Sequence, residues 1–76
     1  MKNQNSKHFA ICVKNKGYEV SLEKRKIYPV LDDKEASALD LMRVVDESGE
    51  SYLYPETFFI AIKLPQPVLR AFAHAA

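Results

Sequence analysis

Residues 41–62, LMRVVDESGESYLYPETFFIAI, decide the fold. Leu41 to Asp46 reads as a strand, and Ser51 to Tyr54 as its return strand. Glu47-Ser48-Gly49-Glu50 between them is a tight turn, with Gly49 at the position that needs a left-handed backbone. This β-hairpin is the strongest local signal in the chain. Pro55 to Phe58 then reads as one turn of 3₁₀ helix, because proline is pre-organised for a first helical position. Phe59 to Ile62 is the last strand.

Upstream, Phe9, Ile11 and Val13 alternate with Ala10, Cys12 and Lys14, which predicts a strand with one fully apolar face. Asn15-Lys16-Gly17 tolerates positive φ and predicts a turn. Tyr18 to Leu22 alternates again, as a short strand or an extended arm, and Glu23 to Lys26 is a charged connection. Ile27 to Leu31 is a further strand, and Pro29, lacking an N–H, predicts a sheet edge or a bulge there. Asp32 and Glu35 have capping-box spacing, so a short helical insert is expected near 33–39. Downstream, Val68, Leu69, Phe72 and Ala73 have helical spacing, which predicts a short amphipathic helix at 67–75 with Pro67 in its first turn. A helix this short needs something to dock on. Residues 1–7 read as a disordered polar tail, leaving 8–76 as a single small domain.

Seventy-six residues leave no room for a second domain. With 47% hydrophobic and 28% charged residues, the chain is too apolar for disorder and too charged for a membrane span. A domain near this size buries only about 60% of its unfolded surface, which disfavours a deep cavity for a large cofactor. The longest apolar runs, Phe9–Val13 and Phe58–Ile62, fall far short of the roughly 20 residues that span a bilayer. No signal peptide is read at the start, and Cys12 is the only cysteine, so a reducing cytoplasm is expected.

Formal charge is +1, but unevenly spread. Residues 1–31 carry seven cations and two anions; residues 32–56 carry two cations and eight anions. Either the two parts meet and neutralise each other, or basic and acidic edges are left for self-association or a charged partner.

The order of elements resembles the Src-homology-three-like small β-barrel, with about five strands. Tyr54-Pro55-Glu56-Thr57-Phe58-Phe59-Ile60 is similar to that barrel's proline, 3₁₀, aromatic and strand segment, and Leu22 to Tyr28 to its strand after the first long loop. More narrowly, Cys12, Asn15, Gly17-Tyr18-Glu19, Ser21-Leu22, Lys26-Ile27-Tyr28, Val45 to Glu50 and Tyr54-Pro55 resemble a group of small uncharacterised bacterial proteins. The resemblance spans residues 9–64 and implies a mainly β fold rather than an activity. Polyproline recognition is not carried over: the chain has no Trp, and its first loop, Lys14 to Glu19, is too short.

Catalytic patterns are poor. On a strand His8 and Cys12 stand about 13 Å apart, too far to share a metal or form a nucleophile–base pair. Cys12 reads as a buried small hydrophobe rather than a reactive thiol. Asp46, Glu47 and Glu50 offer oxygen ligands to a hard cation, or simply make a polar hairpin tip; they lack calcium-loop spacing. The sequence therefore predicts a non-catalytic protein without metal or cofactor. Its candidate binding residues are Tyr18, Tyr28, Tyr52 and Tyr54, with Lys16, Lys24 and Arg25 beside them. The first expectation is a protein-binding or self-associating module, with an unknown protein partner or a homodimer, through the tyrosines or the apolar edge of the C-terminal helix. The alternative is weak nucleic-acid binding, with the basic loops 14–26 on phosphates and surface tyrosines stacking bases. Against both stands the reading that the tyrosines half-bury their rings on the sheet and wet their hydroxyls.

Overall fold

Small side chains set the centre of the sheet. In the computed structural model, which describes residues 8–74 (side chains to 71), β1 is His8–Cys12, and its Ala10 and Cys12 are wholly buried. They let the rings of neighbouring strands close over them. The other strands are β2 (Ile27–Leu31), β3 (Leu41–Val45), β4 (Ser51–Pro55) and β5 (Phe59–Ile62). They form one antiparallel sheet of order β4-β3-β2-β1-β5. Two short helices complete the described part: α1 (Lys34–Ala38) between β2 and β3, and α2 (Gln66–His74) after β5. A 3₁₀ turn at Glu56–Phe58 joins the edge strands β4 and β5. The chain is thus mainly β, an open five-stranded sheet with two short helices. The expected tail at 1–7 and residue 75 of the expected last helix lie outside the described residues.

Register places one set of residues on the core face. Ala10 lies opposite Tyr28 and Ala61, Cys12 opposite Phe59, Val30 opposite Val44, and Met42 opposite Tyr54. Ala10, Cys12, Tyr28, Val44, Tyr54 and Phe59 form the core with Leu22, and Val30, Met42 and Phe58 pack on it. The rings meet edge to face, Tyr28 on Phe59 at 6.5 Å and Tyr54 on Phe59 at 6.2 Å between centroids, the arrangement their quadrupoles favour.

Several sequence expectations need correcting. In β1 the core face is Ala10 and Cys12, not Phe9, Ile11 and Val13; Val13 is exposed. Phe9 is buried on the opposite face. Residues 18–22 are not a strand. The carbonyl of Tyr18 accepts from the N–H groups of Ser21 and Leu22, and Asn15 Nδ2 donates to the Leu22 carbonyl. These local bonds fold the segment into turns, leave Val20 99% exposed and drop Leu22 into the core. The connection from β1 to β2 therefore runs through 13–26 and is not the short loop expected from Lys14 to Glu19.

Pro29 is not on a sheet edge. Strand β2 lies inside the sheet, and its ladder to β3 covers only Val30 and Leu31, stopping where the missing N–H begins. The bulge lies upstream of Pro29, where the Arg25 N–H donates to the Cys12 carbonyl and the Cys12 N–H to the Lys26 carbonyl. The helix cap is Asp33 rather than Asp32, its side chain accepting from the Ala36 N–H at 3.0 Å. Helix α2 starts one residue earlier than expected, at Gln66, with Pro67 in its first turn; Val68 and Leu69 are half-buried.

The predicted hairpin is present. The Gly49 N–H donates to the Asp46 carbonyl, and the Asp46 N–H to the Glu50 carbonyl. Gly49 has φ of +85°, a left-handed geometry that costs glycine little.

Candidate functional site

The acidic hairpin tip does not hang free. It is pinned to the 13–26 loop by the two buried tyrosines. Tyr28 and Tyr54, each 3% exposed, stand on the core face of β2 and β4 and carry their hydroxyls up to the tip. Tyr54 Oη donates to Asp46 Oδ2. Asp46 Oδ1 accepts from the Ser48 N–H at 2.8 Å and from the Ser48 hydroxyl. Ser21 Oγ lies 3.0 Å from Tyr54 Oη. Tyr28 Oη accepts from the Glu23 N–H at 2.8 Å and donates to Glu47 Oε2 at 2.6 Å. Lys26 also pairs with that oxygen, and the Glu47 N–H donates to the Ser21 carbonyl at 3.1 Å.

Electrostatics follow from this network. Burial pushes the Asp46 carboxyl up, but the donors from Ser48 and Tyr54 outweigh it and hold the group below its ordinary value. The Lys26 ammonium, then the Tyr28 hydroxyl, hold Glu47 low. Burial, reinforced by the carboxylate each one meets, pushes both Tyr28 and Tyr54 up. Burial also raises the Cys12 thiol, whose Sγ lies 3.1 Å from the Lys14 carbonyl. Each of these titratable groups is engaged by a structural partner.

Beside the network an open groove of about 430 Å³ is lined by Tyr18, Ser21, Asp46, Ser48, Tyr52, Leu53 and Tyr54. Tyr18 comes from the 13–26 loop and rests edge to face on Tyr54 at 5.0 Å and on Phe58 at 5.9 Å. It is nonetheless 40% exposed. Tyr52, on the edge strand β4, is 49% exposed and donates to Glu50 Oε1 at 3.0 Å.

The four sequence-predicted tyrosines therefore separate into two pairs. Tyr18 and Tyr52 present rings at the groove; Tyr28 and Tyr54 are core residues whose hydroxyls anchor the tip. Lys16, Lys24 and Arg25 are exposed and make no ion pair among the described residues. None of the three lines the groove. The basic and acidic parts meet at Lys26–Glu47 and His8–Asp32, while Arg43–Asp33 closes within the acidic part. Among the described residues no three His, Cys, Asp or Glu side chains cluster as a metal site. No helix among them is long and apolar enough to cross a membrane. Sequence reasoning missed Ser21, Asp46 and Ser48 as groove residues; the period of the strands carries no signal for hydroxyls brought together across a loop.

Comparison with protein-family models, with curated proteins and with solved structures finds no match.

Proposed function

We propose that this chain is a non-catalytic protein-binding module that holds a segment of a partner polypeptide in the groove between Tyr18 and Tyr52. The scaffold is of the Src-homology-three-like kind, with the 3₁₀ turn at Glu56–Phe58 carrying the chain from one sheet edge to the other. Its setting is a reducing cytoplasm, which suits the free, buried thiol of Cys12. The observation that carries the binding role is the contrast in burial among the tyrosines. Two rings remain about half exposed at an open groove, while the polar groups beneath them are tied into the fold. Exposed aromatic rings on a rigid base are what polypeptide interfaces favour.

Nucleic-acid binding draws on the exposed Lys14, Lys16, Lys24 and Arg25. It is the weaker reading, because Tyr28 and Tyr54 have no ring face to offer a base. The groove beside the exposed rings also contains Asp46, whose charge opposes a phosphate backbone.

Selection from a random peptide display library tests the reading. Clones retained by the native chain and lost on a Tyr18→Ser, Tyr52→Ser double variant are the expected outcome. A library yielding no clones that depend on these two residues overturns it, as does a single-stranded oligonucleotide that binds in a Tyr52-dependent way.

A further inference from the structure

The groove is electrostatically one-sided. Its lining contains no lysine, arginine or histidine. It offers phenol rings, whose faces carry negative potential, and the carboxylate of Asp46. Asp46 has both oxygens filled by Ser48 and Tyr54, so it contributes charge without offering a new bond. Glu50 differs. Its Oε1 accepts from Tyr52, and among the described residues its Oε2 has no partner and no cation pairs with it. That bond fixes an exposed carboxylate beside an exposed ring.

A cation over the Tyr52 ring would be attracted both by the ring face and by the carboxylate at its hydroxyl edge. The attraction to a ring face acts within about 6 Å of the centroid. The long apolar stem of such a side chain would lie along the Tyr18 ring with its charged end towards Glu50.

We propose that the groove recognises a cationic side chain, an arginine or a lysine, presented by the partner polypeptide and held between the Tyr18 and Tyr52 rings against Glu50. This specifies the ligand of the module read above and rests on that reading. Charge complementarity selects a basic segment over an acidic one, and Asp46 in the lining with Glu50 beside Tyr52 opposes a polyanion.

The test uses the whole chain, isotope-labelled for NMR, and three probes. These are a blocked alanine peptide carrying two arginines, the same peptide with neutral citrulline in their place, and a single-stranded oligonucleotide. The arginine peptide is expected to shift Tyr18, Ser21 and Tyr52 saturably, and the citrulline peptide to bind about threefold or more weaker. Tyr52→Leu and Glu50→Gln are each expected to weaken the arginine peptide by about two- to fivefold, the range of an exposed cation–ring or surface ion-pair contact. Both positions are exposed, and retained spectral dispersion shows that the variants are folded. Equal binding of the citrulline peptide overturns the cation proposal and leaves the display selection to judge the binding module. An arginine peptide that leaves the groove resonances unmoved overturns it, and so does an oligonucleotide that occupies the groove.

Discussion

Two carboxylate-rich stretches of the acidic middle of the chain serve different roles. Residues 32–40 hold Asp32, Asp33, Glu35 and Asp40; residues 46–50 hold Asp46, Glu47 and Glu50. In the first, Asp33 caps α1 at the Ala36 N–H and pairs with Arg43 on the following strand. In the second, two carboxylates seat the hydroxyls of the core phenols. Asp46 takes the hydroxyl of Tyr54, and Glu47 takes that of Tyr28, nineteen positions away. A carboxylate at a helix start serves the secondary structure. One seated on a buried phenol serves the tertiary structure, and a thin core depends on it more heavily.

Asp46→Ala is the harshest test of that difference. The substitution removes the carboxylate from the buried Tyr54 hydroxyl, which keeps Ser21 Oγ, and from two donors of the exposed Ser48, a loss of about 2 kcal/mol by the usual worth of hydrogen bonds to a charged group. Against the 5–15 kcal/mol typical of a folded domain, that is a large fraction. Asp33→Ala loses one cap and one surface pairing, and urea melts should show a clearly smaller drop in midpoint. Equal drops would erase the distinction between the two stretches.

Tyr28→Phe comes next. The ring stays in the core, but the Glu23 N–H loses its acceptor and Glu47 a donor, at about 1.5 kcal/mol. The same urea series should place it between the two aspartate variants. A Cys12 alkylation assay gives an independent reading, because the wholly buried thiol reacts only when the core opens. Faster labelling in Tyr28→Phe is expected.

The local and long-range parts were not equally legible in the sequence. The hairpin at Gly49 and the helix near 33–39 could be read because their signals are contained within a few positions. The turns at 18–22 could not, because Tyr18, Val20 and Leu22 have the period of a strand while Asn15 Nδ2 folds the segment back on the Leu22 carbonyl. The burial of Tyr28 and Tyr54 was equally hidden. A tyrosine on a sheet face reads the same whether its hydroxyl finds water or a carboxylate, and only the fold brings Asp46 and Glu47 above those rings. Half of the tyrosine set named from sequence is therefore structural, and the groove at Tyr18 and Tyr52 rests on it.

Acid and alkali separate the stretches by degree. Asp33, Asp46 and Glu47 are all held below their ordinary values of 3.8, 3.8 and 4.5 in the fold. A lowered carboxyl contributes stability above its unfolded value, and that contribution is lost as pH falls through the folded one. Unfolding should therefore set in below about pH 4. Glu47→Gln should make the acid limb shallower while keeping an acceptor for Tyr28. At the other end Tyr28 and Tyr54 are raised above their ordinary 10.0. Their contribution is complete below that value and is lost as pH climbs past it. A pH series of thermal melts should show both limbs, and Tyr28→Phe should blunt the alkaline one and, less, the acid one, since the same hydroxyl helps hold Glu47 low.

The smallest effect has the opposite sign and tests the loop on which the acidic tip sits. The tip closes with a bulge in which Gly49, at φ of +85°, donates to the Asp46 carbonyl while the Asp46 N–H reaches Glu50. The 13–26 loop closes with the same pattern: Arg25, at φ of +72°, donates to the Cys12 carbonyl while the Cys12 N–H reaches Lys26. One bulge has glycine at the left-handed position, the other an arginine, whose Cβ makes that conformation costly. Arg25→Gly should relieve the strain, partly offset by the extra freedom of glycine in the unfolded chain, for a net gain of about 0.5 kcal/mol. The guanidinium lies outside the groove lining, so binding of the arginine peptide should be unchanged in the same variant. A destabilised Arg25→Gly would mean that the loop relies on the arginine side chain as well as its backbone, and the tip would then be seated on more than the two tyrosine hydroxyls and Lys26.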